Sequence, residues 1–244
     1  MKISLIIKQK QVNNHSHFIP WQQVVRTQTG LRLCPLNTLR LQISNLGHRY
    51  GGRKLFQGVN LDAAAGTVVA VLGTNGTGKS TFLKIVAGLL TPWQGTVSLS
   101  LDGAALTGEK RRHIIGMTAP DMALYQELSG AENLEFFASL RGLNPDTAML
   151  RSSLEKVGLK GRGRDLVSDY SSGMRQRLRL AVAQLGSPRL LLLDEPSSNL
   201  DAAGIEIVES VLNQHREAGH IVLIATNAPH EMEWGDVHLQ VAQL

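Results

Sequence analysis

The sequence predicts an α/β fold with a mostly parallel central sheet. Three short apolar runs, at residues 67–72, 190–193 and 221–225, have the length and composition of fully buried strands. Helical stretches follow the first two runs, at residues 80–87 and 202–217. Buried strands that alternate with helices are typical of a parallel sheet whose strands are connected by helices.

A helical insert interrupts this alternation between the first and the second buried strand. Apolar residues recur at three- and four-residue steps between positions 130 and 160, and Pro145 separates two helices there. A further helix is predicted from about Ser172 to Gly186. We therefore expect a helical subdomain over about residues 128–186.

Two more strands are predicted ahead of the buried run. Leu39, Leu41 and Ile43 alternate with polar residues, as on a half-buried strand, and a second short strand covers about residues 55–60. Residues 1–38 show neither helical nor strand periodicity. We expect them to be a basic, disordered leader or the product of a misassigned start, with a weak targeting sequence as the third interpretation, and we place the folded domain at 39–244.

Charge and composition exclude several classes of protein. Residues 1–40 carry six of the 25 Lys and Arg residues and no acid, so the other 19 bases face 20 acids and the formal net charge of +5 belongs to the leader. No nucleic acid is therefore expected as a partner. The single cysteine, Cys34, excludes an internal disulfide and fits a reducing compartment. No apolar run reaches the ~18–20 residues that span a bilayer.

A phosphate-binding loop follows the first buried strand and opens a helix. Its pattern is that of a P-loop, in which glycines let backbone N–H groups cradle phosphate oxygens at a helix N-terminus. The lysine supplies a positive charge to the β- and γ-phosphates, and the next hydroxyl can bind Mg²⁺. The residues predicted to bind nucleotide here are Gly73, Thr74, Asn75, Gly76, Thr77, Gly78, Lys79, Ser80 and Thr81.

Two carboxylates end the second buried strand. Asp194 and Glu195 follow four leucines, 115 and 116 residues after Lys79. In P-loop enzymes an aspartate in this place holds Mg²⁺, and an adjacent glutamate can act as general base toward the attacking water. We therefore predict Ser80 and Asp194 as magnesium ligands and Glu195 as the catalytic residue.

A third motif, Tyr-Ser-Ser-Gly-Met at residues 170–174, lies between the other two. It resembles the signature motif of ABC ATPases, whose usual form is Leu-Ser-Gly-Gly-Gln, and the order P-loop, signature, acidic strand end is that of this family. The resemblance covers roughly residues 39–242. It implies a P-loop NTPase fold with an antiparallel β subdomain and an α-helical subdomain. It also implies that Ser171, Ser172 and Gly173 act in trans on the γ-phosphate side of a second chain.

Smaller elements agree with the family pattern. Tyr50 lies 29 residues before Lys79, where the family places an aromatic ring that stacks on adenine, although a core tyrosine is the simpler interpretation. Asp201 closes a loop that resembles the one by which the two sites of the family's dimer communicate. The segment 128–143 resembles the part of the helical subdomain that faces the membrane partner.

Two family residues are missing. Pro120 stands where the family carries a glutamine that helps to position Mg²⁺ and water, and Gln126 lies on the wrong side of Tyr125 to replace it. Asn227 stands at the position of the switch histidine, and an amide does not take up a proton near neutral pH. His230 is the one nearby histidine that offers a substitute.

The resemblance implies an ATP- and Mg²⁺-dependent ATPase that works as a head-to-tail dimer with a second copy or a homologous subunit. Its other partner is a transmembrane permease, so we expect the protein on the cytoplasmic face of the inner or plasma membrane. The signature looks more like those of ABC-2 type exporters and haem-exporter ATPases of cytochrome c biogenesis than those of importers. The alternatives are a soluble ABC ATPase of the iron–sulfur cluster assembly type and a weakly hydrolysing dimer switch.

Overall fold

The computed structural model describes residues 22–27, 30–35 and 38–241. Strands β1 (Gln22–Thr27) and β2 (Gly30–Pro35) pair antiparallel in a two-stranded sheet of their own. They lie inside the segment 1–38, where the sequence shows no strand periodicity. That the ATPase domain begins after this segment stays a prediction.

The central sheet has five parallel strands in the order β11-β5-β10-β9-β8. The three buried runs of the sequence form its middle, because apolar residues on both faces can be covered only in the interior of a sheet. The prediction of a mostly parallel central sheet is confirmed. Its strands are β5 (Val68–Leu72), β8 (Ile115–Thr118), β9 (Leu190–Asp194), β10 (Ile221–Thr226) and β11 (Val237–Gln240).

An antiparallel sheet of four strands, in the order β4-β3-β6-β7, covers one face of the central sheet. Its first two strands are longer than predicted, since their pairing continues across three register shifts to Tyr50, although the alternation of buried and exposed residues ends after Ile43. The strands are β3 (Leu39–Tyr50), β4 (Arg53–Ala64), β6 (Gln94–Leu101) and β7 (Ala104–Ala105).

Helices within residues 130–183 and 202–217 cover the other face, and those of residues 130–183 form a helical subdomain. The helix that begins at Lys79 packs instead on the side of the antiparallel sheet. Part of this subdomain is fixed by side-chain caps: Ser129 begins α3 with a capping box, and Asp146 and Ser171 cap α4 and α5. The helices are α1 (Lys79–Val86), α2 (Gly108–His113), α3 (Gly130–Leu140), α4 (Thr147–Lys156), α5 (Ser172–Ala183), α6 (Ala202–Glu217) and α7 (Pro229–Glu233). Over the residues that the structure describes, no helix is long and apolar enough to cross a membrane.

The central strands divide their side chains between two hydrophobic cores. In β9, Leu190 and Leu192 pack with the antiparallel sheet and α1, whereas Leu191 and Leu193 pack with the helical subdomain. All four leucines are fully buried. The alternation of a strand therefore ties the two layers to one sheet, so the loops at the strand ends are held from both sides.

Gly116 on β8 allows helix α5 to approach the sheet closely. A Cβ built at Gly116 would lie 2.0 Å from the carbonyl oxygen of Ala183 and 2.7 Å from a ring carbon of Pro188. No side chain fits there unless the backbone moves. The helix that begins at the signature motif is thus seated against the strand that precedes Pro120.

Replacement of Gly116 by alanine is expected to lower the free energy of unfolding by at least ~1–3 kcal/mol, because the added methyl overpacks the contact of α5 with β8. Denaturant unfolding followed by circular dichroism measures the change. The matched control is Gly52→Ala, at a glycine whose Cβ would meet nothing within 4 Å. Equal stability of the two variants would contradict the close-approach explanation.

Candidate functional site

The phosphate loop joins β5 to α1 in a conformation that its glycines permit. Gly76 and Gly78 have φ of +82° and +101°, in the left-handed region that side chains rarely adopt. At Gly78 a Cβ would also lie 3.0 Å from the ring of Phe56. The Thr77 hydroxyl donates to the carbonyl of Thr74 at 2.9 Å and braces the loop from within.

Lys79, the first residue of α1, is buried beneath this loop. Its ammonium group donates to the carbonyl oxygens of Gly73 at 2.8 Å and Thr74 at 3.3 Å. The Lys79 side chain is therefore hydrogen-bonded to the backbone of the phosphate loop. An ammonium group held in this way places a fixed positive charge where a phosphate chain meets the helix N-terminus.

Asp194 and Ser80 meet beside the loop. The Ser80 hydroxyl hydrogen-bonds the Asp194 carboxylate, yet burial dominates and raises the pKa of Asp194 above its ordinary value. The second carboxylate oxygen, Oδ2, is buried without a hydrogen-bond partner. A buried carboxylate oxygen that lacks a donor is suited to a divalent cation, and carboxylate and hydroxyl oxygens are ligands that Mg²⁺ accepts. The residues present therefore fit a magnesium ion.

Glu195 follows β9 with a strained backbone. Its φ is +47°, in the left-handed region that costs a non-glycine residue free energy. The Glu195 N–H donates to the carbonyl of Ala225 at 2.9 Å, and the Ser198 hydroxyl reaches a carboxylate oxygen at 3.5 Å. The turn directs the side chain toward the phosphate loop, where it lines the cavity described next.

One cavity of about 360 Å³ brings most of the predicted nucleotide residues together, but Gly73, Thr74 and Thr77 do not line it. Tyr50 reaches it from the end of β3, and the residue is 55% exposed, which fits a stacking surface better than a core position. Leu55, which the sequence did not single out, forms an apolar part of the wall. The lining residues are Tyr50, Leu55, Asn75, Gly76, Gly78, Lys79, Ser80, Thr81 and Glu195.

The signature residues lie outside this cavity. Ser171 caps α5 by accepting from the N–H of Met174 at 3.1 Å, as the serine-capped helix start predicts, and it stays exposed. Gly173 packs on the loop after Glu195, since a Cβ there would be 2.9 Å from the carbonyl oxygen of Asn199. Asp201 caps α6 through the N–H of Gly204 at 2.9 Å.

Tyr170, which replaces the family's leucine, is fixed inside the helical subdomain. It is 2% exposed, and its hydroxyl donates to the carbonyl of Arg162 at 2.7 Å. A Cβ at Gly130 would lie 2.2 Å from this hydroxyl oxygen. The tyrosine is therefore a core residue paired with a glycine on α3, and it leaves Ser171 in place.

Asn227, at the switch position, reaches the phosphate loop. Its side-chain nitrogen donates to the Oδ1 atom of Asn75 at 2.8 Å. His230 does not line the nucleotide cavity. Its Nε2 atom lies 2.9 Å from the hydroxyl of Ser197, which also donates to the buried carboxylate of Glu231. The structure therefore places the asparagine, rather than the histidine, beside the loop.

A family model described as ABC transporter matches residues 56–198. This chain belongs to the ABC transporter family. Together with the fold, membership makes it an ATP-binding P-loop ATPase. The resemblance of the three motifs is thereby confirmed at the level of the family.

Relatives of this ABC protein include ATP-binding proteins named for transport and export. It is 34% identical to the lantibiotic transport ATP-binding protein SrtF of Streptococcus pyogenes, over 79% of this chain and 82% of SrtF. It is 32% identical to the cytochrome c biogenesis ATP-binding export protein CcmA of Haemophilus influenzae, over 84% of this chain and 95% of CcmA. A solved dimeric ATP-binding cassette in a post-hydrolysis state with ADP and Pi has the same fold, with a TM-score of 0.72 at 23% identity, over 83% of this chain and 94% of the other.

Substitution of Asp194 by asparagine is expected to raise the melting temperature of the metal-free protein. Because burial raises the folded-state pKa of Asp194, its charged form is destabilising at neutral pH, and this cost fades as pH falls through that pKa. A gain of 1 kcal/mol corresponds to roughly 2–4 °C in a domain of this size. Thermal unfolding at neutral and acidic pH, without and with Mg-ATP, is the measurement.

Two comparisons make this result decisive. Glu127→Gln removes a carboxylate from an exposed position and should leave the melting temperature unchanged. Mg-ATP should stabilise the wild type more than Asp194→Asn. A metal-free Asp194→Asn protein that melts below the wild type would contradict a destabilising carboxylate.

Proposed function

We propose that this ABC ATPase works as a head-to-tail dimer that drives a separate membrane-spanning permease in export. One observation carries the dimer. Tyr50, Lys79 and Glu195 share a cavity that the exposed Ser171 does not line. Each chain therefore offers one half of a nucleotide site, together with a signature motif that is free to complete the site of a second chain. The solved cassette with the same fold is itself described as dimeric.

The chemistry proposed for each half follows from its groups. The loop N–H groups and Lys79 hold the phosphates, and Ser171 and Gly173 of the second copy close over the γ-phosphate from the other side. Glu195 takes a proton from the attacking water as general base. Ser80 and Asp194 would hold Mg²⁺, which would supply positive charge beside the phosphates. Tyr50 stacks on the adenine.

Export is supported by the signature and by the relatives. The Tyr-Ser-Ser-Gly-Met segment resembles the signature motif of exporter ATPases, and Gly130 leaves room for its tyrosine side chain. SrtF and CcmA carry transport and export in their names. Haem export in cytochrome c biogenesis is the narrowest form of this proposal. It places the protein at the cytoplasmic face of the membrane, bound to its permease.

A slow dimer switch is the second candidate, and the two departures from the family favour it. Pro120 offers no side-chain amide to magnesium or water. Asn227 is hydrogen-bonded to Asn75, and its amide cannot take up and release a proton as a histidine does. In this version ATP closes the dimer and turnover is too slow to power repeated transport.

Replacement of Glu195 by glutamine is expected to lower ATP turnover at least ~100-fold while ATP binding persists, because the amide cannot accept the proton of water. Phosphate release by purified protein, with and without its permease, is the measurement. Glu206→Gln, at an exposed position on α6, is the control and should match the wild type. Tight ATP binding with no turnover by the wild type, even with the permease, would favour the switch.

Fractionation of cells separates the transport ATPase from a soluble one of the iron–sulfur assembly type. A permease-bound subunit is expected to sediment with membranes and to leave them when the permease gene is deleted. Deletion of residues 1–38 is the control, since a basic leader that adsorbs to anionic lipid would mimic binding. Recovery in the supernatant despite an intact permease would contradict the proposal.

A further inference from the structure

A chain of polar contacts runs from the phosphate-loop helix to the backbone of Glu195. It begins at Lys84 on α1, whose ammonium nitrogen lies 2.8 Å from the Oδ2 atom of Asp121. Asp121 directly follows Pro120, where the family has its glutamine. The pair raises the pKa of Lys84 and lowers that of Asp121. Both groups are partly exposed, so the pair contributes little to stability, and its effect is to fix the loop 119–122 on α1.

Arg179 on α5 holds the other end of this loop. Its Nε atom donates to the carbonyl oxygen of Met122 at 3.0 Å, and its Nη1 atom donates to the Oε1 atom of Gln176 at 3.3 Å. A single planar guanidinium thus joins the loop to a side chain one helical turn away. Since a guanidinium is planar and rigid, it fixes the Met122 carbonyl oxygen and the Gln176 amide oxygen relative to each other.

Gln176 transfers this contact to the turn after β9. The side chain is buried, and its Nε2 atom donates to the carbonyl oxygens of Glu195 at 3.3 Å and Pro196 at 3.2 Å. Because Arg179 donates to Oε1, the amide has its nitrogen directed toward these two carbonyls. The Glu195 backbone is therefore held by Gln176 on one side and by Ala225 on the other.

We propose that Arg179 and Gln176 are positioning residues for Glu195, and that they couple the loop 119–122 to hydrolysis where Pro120 removes the usual glutamine. A left-handed non-glycine residue keeps its conformation only when its surroundings fix it. The Gln176 contact is one of these constraints, and Arg179 makes it depend on the loop. The proposal rests on Glu195 as the general base.

The test is Arg179→Met beside Arg141→Met. Arg141 also donates from a half-buried guanidinium to a backbone carbonyl, that of Ile115 at 2.6 Å, but it has no bond to Gln176 or to the loop 119–122. We expect Arg179→Met to lower kcat by at least ~10-fold with KM for ATP unchanged, because a misplaced base slows the chemical step and leaves nucleotide binding intact. Arg141→Met should keep the wild-type kcat.

Hydrogen exchange of the nucleotide-free protein supplies a readout that does not need turnover. Arg179→Met is expected to speed exchange of the backbone amides of Glu195, Ser197 and Ser198, whereas Arg141→Met leaves them protected. This arm decides the inference even if the wild type hydrolyses ATP too slowly to measure, or if Glu195→Gln proves active. Wild-type exchange at these amides in Arg179→Met would overturn the proposal.

A double-mutant cycle tests the first link. Lys84→Met and Asp121→Asn should each lower kcat in part, and the double variant should lower it no further than the stronger single one. Additive effects would remove the ion pair from the chain of contacts. Arg179→Lys should not restore kcat, because an ammonium lacks the fork that joins Met122 to Gln176.

Discussion

The nucleotide site depends on the register of three parallel strands. Leu72 at the end of β5 pairs with Thr226 at the end of β10, and Ala225 pairs with Asp194 at the end of β9. These pairings bring the phosphate loop, the two carboxylates and Asn227 to one edge of the sheet. A slip by one residue would turn buried leucines of β9 toward the wrong core. The packing that fixes the fold therefore also fixes the chemistry.

That packing leaves free energy stored at the site itself. The Asp194 carboxylate is buried with one oxygen unpartnered, and Glu195 is held in a left-handed turn. Neither feature stabilises the protein without ligand. Both are tolerated because the strands beside them are buried on two faces and cannot relax. A rigid sheet is thus what allows a strained acidic turn to persist beside the phosphate loop.

Features set by local sequence could be predicted, and those set by distant contacts could not. The phosphate loop, the acidic strand end and α6 follow from short patterns, and the structure places them as expected. The sequence does not predict helix α2, since this helix is charged, has no buried residue and thus has no apolar stripe. It does not predict strand β6, because few residues of this strand are buried.

The contact of Arg179 with Met122 spans 57 positions and is made to a backbone carbonyl. No residue type at position 122 marks it, because every residue offers the same carbonyl group. The hydrogen bond between Asn227 and Asn75 spans 152 positions, and no sequence pattern predicts it either. Such contacts appear only once the sheet register brings the segments together.

The close contact of Tyr170 with Gly130 constrains the order in which these two positions of the helical subdomain can be substituted. A Cβ at position 130 would lie 2.2 Å from the tyrosine hydroxyl oxygen, so the two cannot coexist without displacement. In a lineage that began with leucine at 170, glycine at 130 had to arrive first or together with the tyrosine. A side chain larger than glycine at position 130 beside tyrosine at position 170 therefore requires a subdomain that has been repacked.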